Sequence, residues 1–146
     1  MNYFKWHSDD NTIILEKFRG DFTTEFLELS EKYLVDFSEF DQVKLISDVR
    51  LANFSKVAPG EAARFASNFI RTVPASFPLE LCFVLGEDER DDMDVITSYA
   101  EPISSSINID FKLLRTMDEV KDQLNIDSES SKKMNQAIDE WLKTLS

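Results

Sequence analysis

Asp48 and Arg50 stand at the end of an apolar run, residues 43–49, and Asn53, Ser55 and Lys56 follow within the next six positions. A carboxylate, a guanidinium, an amide, a hydroxyl and an ammonium so close together can recognise a polar ligand or the surface of a partner protein. In open α/β sheets, ligands collect outside the carboxyl ends of the strands, where successive loops converge. Asp48, Arg50, Asn53, Ser55 and Lys56 are therefore the candidate binding residues. The plainer alternative is that Asp48 and Arg50 pair with each other and simply hold the loop.

Other reactive groups do not assemble into a catalytic set. Glu87, Asp88, Glu89, Asp91, Asp92 and Asp94 place six carboxylates within eight residues. Hard cations want such oxygen ligands, but the glycine and the late bidentate glutamate of a calcium loop are missing. Carboxylates also favour a helix start through its dipole, so the segment reads as a solvated capping loop and no metal site is expected. His7 is the only histidine, and it lies in an aromatic N-terminal segment far along the chain from any loop serine. No Gly-x-Ser-x-Gly elbow occurs, and His7 reads as a strand residue facing solvent. Cys82 sits inside the apolar run 79–85 without a Cys-x-x-Cys partner; burial there raises a thiol's pKa and leaves it inert. Gly20, Gly60 and Gly86 are isolated, so neither a dinucleotide fingerprint nor a P-loop can form. No catalytic residue and no cofactor are expected.

Charge narrows the partners. The chain has 28 acidic against 16 basic residues, a net charge of −12. That repels phosphate backbones and anionic headgroups, and the basic residues do not cluster, so neither nucleic acid nor a membrane surface is an expected partner. One cysteine cannot close an internal disulfide, which points to a reducing compartment. No signal-like segment opens the chain and no run nears the roughly 18 apolar residues of a membrane span. The cytoplasm is the expected location.

The elements that must hold these residues follow from periodicity. Residues 3–7 and 12–18 read as a hairpin around Ser8-Asp9-Asp10-Asn11, and Gly20 marks a break. Phe22, Phe26, Leu29, Tyr33 and Phe37 recur at helical spacing. A strand over 43–49 precedes a loop containing Asn53, and Pro59 suits the first turn of a helix that Pro74 ends. A strand over 79–85 leads into the acidic loop and a helix from about Asp92, in which Pro102 predicts a kink or restart. Ile109, Phe111 and Leu113 alternate with Asp110 and Lys112, as in an edge strand with a wet face, and Thr116 to Glu119 is a capping box.

The order ββαβαβαβα implies one mostly parallel sheet with an antiparallel first strand, in an α/β domain over residues 1–126. Residues 127–146 read as a linker and an appended amphipathic helix. Its stripe of Met134, Ile138, Trp141 and Leu145 needs cover, from this chain or from a second copy. Without that helix the domain is expected to fold but to change in solubility or oligomeric state.

Arg19-Gly20 ends the hairpin, Lys44-Leu-Ile-Ser-Asp48-Val-Arg50-Leu-Ala-Asn-Phe54 enters the next loop, and Thr116-Met-Asp-Glu-Val-Lys-Asp-Gln-Leu124 closes the unit. With the order of elements over residues 3–126, this resembles the SpoIIAA-like or STAS domains, the anti-sigma-factor antagonists and their bacterial relatives. The resemblance implies a non-enzymatic regulatory or protein-interaction module. It would bind another protein, or a second copy of itself, through the loop and helix start after the second parallel strand. In the antagonists that loop is an Asp-Ser-Ser-Gly-type phosphorylation site. Here it reads Ser55-Lys-Val-Ala-Pro-Gly60, without the acceptor serine, which places the chain nearer the branch that lacks the phospho-acceptor motif. Ser55 as a replacement acceptor is one alternative. Another is a carrier for a small lipid-like ligand, with some of the phenylalanines lining a pocket between sheet and helices.

Overall fold

The computed structural model describes residues 2–30 and 40–145, without the side chains of residues 28–30. β1 (Asn2–His7) and β2 (Ile13–Asp21) pair antiparallel, from Asn2 opposite Arg19 to His7 opposite Ile14. Ser8 closes their turn: its hydroxyl accepts from the Ile13 backbone N–H at 3.0 Å and donates to Asp10 at 2.6 Å. β3 (Val43–Asn53), β4 (Leu79–Val84) and β5 (Ile109–Leu114) then add in parallel, giving the spatial order β1-β2-β3-β4-β5. The fold is α/β, with one mixed five-stranded sheet whose first strand is antiparallel.

That strand order dictates where the helices go. Each new strand joins on the same side of the last, so crossovers of one hand all return over one face of the sheet. α1 (Thr24–Ser30), α2 (Pro59–Thr72) and α3 (Met93–Ser104) accordingly share one core with Ile14, Leu45, Val49, Leu81, Phe83 and Ile109. Strand residues alternate between faces, so Ile13, Leu15, Ile46, Cys82 and Val84 form a second core on the other side. α4 (Met117–Leu124) and α5 (Ser128–Thr144) cover it with Val120, Leu124, Met134 and Ile138. The α5 stripe therefore docks on this chain's own sheet. Met134 is fully buried, and the Trp141 ring stacks on Phe4 with centroids 5.4 Å apart.

Three local expectations need adjusting. Gly20 does not end β2: a bulge between Lys17 and Arg19 shifts the register, Gly20 takes φ 107°, and Gly20 and Asp21 go on pairing with Ala52 and Asn53. A bulge increases twist and glycine tolerates that φ, so the pair bends without separating. Asn53 is consequently the last residue of β3 and not part of a loop. Pro102 does not restart α3, which runs unbroken to Ser104; the proline falls in the final turn, where little helix remains to be broken. Of the first helical stripe, Phe22 and Phe26 pack in the first core, whereas the Leu29 side chain, Tyr33 and Phe37 lie outside the described residues. Among the described residues no helix is long and apolar enough to cross a membrane.

Candidate functional site

The five residues singled out from sequence fall into two groups. Asp48 is fully buried on the α4–α5 side of the sheet, where it accepts from Lys17 Nζ at 2.6 Å. It also accepts from the Arg50 backbone N–H at 3.2 Å, from Nε at 2.9 Å and from Nη2 at 2.8 Å. Burial alone would raise the Asp48 pKa, but the Arg50 hydrogen bonds and the Lys17 charge outweigh it and hold the carboxyl below its usual value. Asp48 and Arg50 thus pair locally. Asn53, Ser55 and Lys56 gather instead around exposed Asp21. Asn53 Nδ2 donates to Asp21 at 3.0 Å, Lys56 pairs with Asp21 at 2.8 Å, and the Ser55 hydroxyl donates to Asn53 at 2.7 Å.

The acidic loop after β4 contains a tie between loops. Arg90 Nη1 donates to the carbonyls of Val49 and Leu85, both at 3.0 Å, and Nη2 donates to Ala52 at 2.7 Å. The Asp92 carboxylate pairs with Arg90 and accepts from the Phe54 backbone N–H at 2.9 Å, across to the loop after β3. Among the described residues, no group of three His, Cys, Asp or Glu is placed to hold a metal ion. His7 is exposed. Cys82 is buried, and burial pushes its thiol pKa up to about 12.

An apolar cavity lies elsewhere, between the sheet and α1–α3. This cavity of about 270 Å³ has a floor of Glu16, Leu45, Ser47, Val49, Leu81 and Phe83. Phe26 and Leu27 of α1, Ala62, Phe65 and Phe69 of α2, and Val95, Ile96 and Tyr99 of α3 roof it, while Phe54 and Val57 close the end at the β3 loop. Aromatic rings form two walls. Phe22 packs on Phe18 at 5.1 Å, Phe26 at 4.8 Å and Phe54 at 4.7 Å; Tyr99 stacks on Phe65 at 5.9 Å and Phe83 at 5.0 Å. The volume is nearly twice the roughly 150 Å³ of an apolar cavity that stays dry and takes benzene. It lies just below the roughly 300–1,000 Å³ of drug-sized sites.

Polar groups cluster at one place on that floor. Glu16 lies opposite Ser47 in the β2–β3 register, and both line the cavity. The Tyr3 hydroxyl, also on the wall, donates to Glu16 Oε1 at 3.1 Å. Burial raises the Glu16 pKa, against the hydrogen bond from Tyr3 and the charge of Lys5 opposite it on β1. Burial also raises the pKa of Tyr99, as does the charge of Glu16. The arrangement suits an apolar molecule with one polar end.

Sequence reasoning missed Glu16, although a signal existed. A strand covered on both faces should read as a continuous apolar run, yet β2 carries Glu16-Lys17 and β3 carries Ser47-Asp48 at matching register. Lys17 and Asp48 satisfy one another on one face, and Glu16 and Ser47 are left for the cavity on the other. Comparison with known proteins returned no matching family model, no matching curated protein and no matching solved structure.

Proposed function

We propose that this chain is a binding protein for a small, largely apolar molecule carrying one polar group, held between the sheet and α1–α3. The observation that carries the reading is the cavity itself, with its aromatic walls and the polar group of Glu16, Ser47 and Tyr3 on the floor. A core at normal packing density has few voids larger than water, so a partly open apolar space of about 270 Å³ is the default ligand site. The single sheet with its antiparallel first strand supports a SpoIIAA-like reading of the fold, with the carrier function preferred over the interaction module. A protein partner at the rim after β3 is the second reading, favoured by the exposure of Ser55 and Lys56; their hydrogen bonds and ion pair within the loop leave them less to offer.

Native mass spectrometry of protein purified without detergent tests the proposal, alongside titration with a polarity-sensitive fluorescent probe. The expected result is a ligand mass that is lost on denaturation, or saturable probe binding by emptied protein. Ala62→Leu, which fills the cavity roof, should abolish that binding while the circular dichroism spectrum is retained. An apo mass with no probe binding, or unchanged binding by folded Ala62→Leu, overturns it.

A further inference from the structure

β2 carries two charged residues in succession, Lys17 buried and Glu16 half-buried, and among the described residues only Lys17 meets a counter-charge. Lys17 meets Asp48 at 2.6 Å on one face. Glu16 turns to the other face, where its hydrogen bond comes from the neutral hydroxyl of Tyr3. Among the described residues no lysine or arginine lies within ion-pair distance of Glu16, and none lines the cavity. Lys5, the basic residue opposite Glu16 on β1, is exposed.

The rest of the wall is suited to positive charge. The faces of aromatic rings attract cations electrostatically, and more strongly where water is excluded. Phe18, Phe22, Phe54, Phe65, Phe83 and Tyr99 all line the same space. The chain's net charge of −12 draws cations towards it and repels acids. A fatty acid would bring a carboxylate to a carboxylate, with no lysine or arginine among the described residues of the wall.

We propose that the cavity takes a small hydrophobic amine in its protonated form, its ammonium on Glu16 and its apolar body among the aromatic rings. This deepens the carrier reading and rests on it. The ammonium supplies the counter-charge that Lys17 supplies to Asp48, while the Tyr3 hydroxyl holds the Glu16 carboxylate in place and Ser47 offers a further oxygen. Among the described residues the titratable groups around Glu16 are Tyr3, Lys5 and Tyr99. An ammonium needs Glu16 ionised, so binding weakens as pH falls through the raised Glu16 pKa.

The test is calorimetric titration of the full chain with three matched probes: 4-phenylbutylamine, 4-phenylbutanol and 4-phenylbutanoate. At pH 7.5 the amine should bind at least tenfold more tightly than the alcohol, and the carboxylate should bind weakest. Glu16→Gln should lose at least tenfold for the amine and change the alcohol by less than about threefold. Tyr3→Phe, which keeps the carboxylate, should show a smaller loss for the amine. Alcohol or carboxylate binding as tightly as the amine to the wild-type chain overturns the amine inference and leaves the cavity reading standing. So does a folded Glu16→Gln protein with undiminished amine affinity. If none of the three probes binds the wild-type chain, the amine inference falls, and the polarity-sensitive probe then decides whether the carrier reading falls with it.

Discussion

Asp48→Asn is the sharpest perturbation of the scaffold, because it removes one charge from a buried pair and leaves the other. The substitution keeps the shape but not the counter-charge, and the Lys17 side chain is only 3% exposed. Stranding one member of a buried ion pair costs about 3–5 kcal/mol. For a chain of this size that corresponds to a fall of roughly 6–20 °C in melting temperature, at about 2–4 °C per kcal/mol. Arg50 contributes less to the loss, since its side chain is 35% exposed and can turn to water. Because the Asp48 pKa is lowered in the fold, its contribution is present above the ordinary carboxylate value of 3.8 and disappears as pH falls through the depressed one. The gap between wild type and Asp48→Asn, measured by urea denaturation, should be full at neutral pH and close below about pH 4. Lys17→Met with Asp48→Leu removes both charges and should recover at least half of the loss. A single-mutant cost under about 1 kcal/mol, the size of a surface pair, would refute the reasoning, as would a double mutant no better than the single.

The remaining scaffold predictions are simpler. Glu16 has a folded pKa raised above its ordinary 4.5, so its stabilising contribution is complete below that value and is lost as pH rises through the folded one. Glu16→Gln should therefore be more stable than wild type at pH 8, by a margin that shrinks towards pH 4; a margin independent of pH would contradict this. Removing residues 128–146 strips Met134 and Ile138 from the second core, at about 2–5 kcal/mol for each side chain lost. The truncated chain should melt far lower and self-associate in size-exclusion chromatography; an unchanged midpoint and a monomeric profile would show that α5 is dispensable. Arg90→Ala deprives the carbonyls of Val49, Leu85 and Ala52 of their donor and should cost about 2–4 kcal/mol in urea denaturation, against less than about 0.5 kcal/mol for an ordinary surface change.

Much of the fold was legible because its signals are local. Alternation in β5, Pro59 at the first turn of α2 and the Thr116 cap of α4 each act within a few residues; the Thr116 hydroxyl accepts from the Glu119 backbone N–H at 3.2 Å. The lengths of β2 and β3 were not legible, because a bulge and a glycine at positive φ carry the pairing past what looks like a break. Arg90 reads as one more charge in a charged loop, since its carbonyl partners are brought to it only by the packing of β3 against β4. The candidate site was half legible. The phenylalanines announced an apolar excess, but a cavity is space left between helices, and no single residue encodes it. Glu16 stood out only once its strand was known to be covered on both faces.

Methyl-resolved NMR during titration with 4-phenylbutylamine tests most directly whether the space under α1–α3 is a binding site. The methyl resonances of Leu45, Val49, Leu81 and Val95, which line the cavity, should shift with one saturable dissociation constant. Those of Leu15, Val84 and Val120, in the second core, should stay in place. Shifts spread over both cores, or confined to exposed side chains, would contradict the assignment.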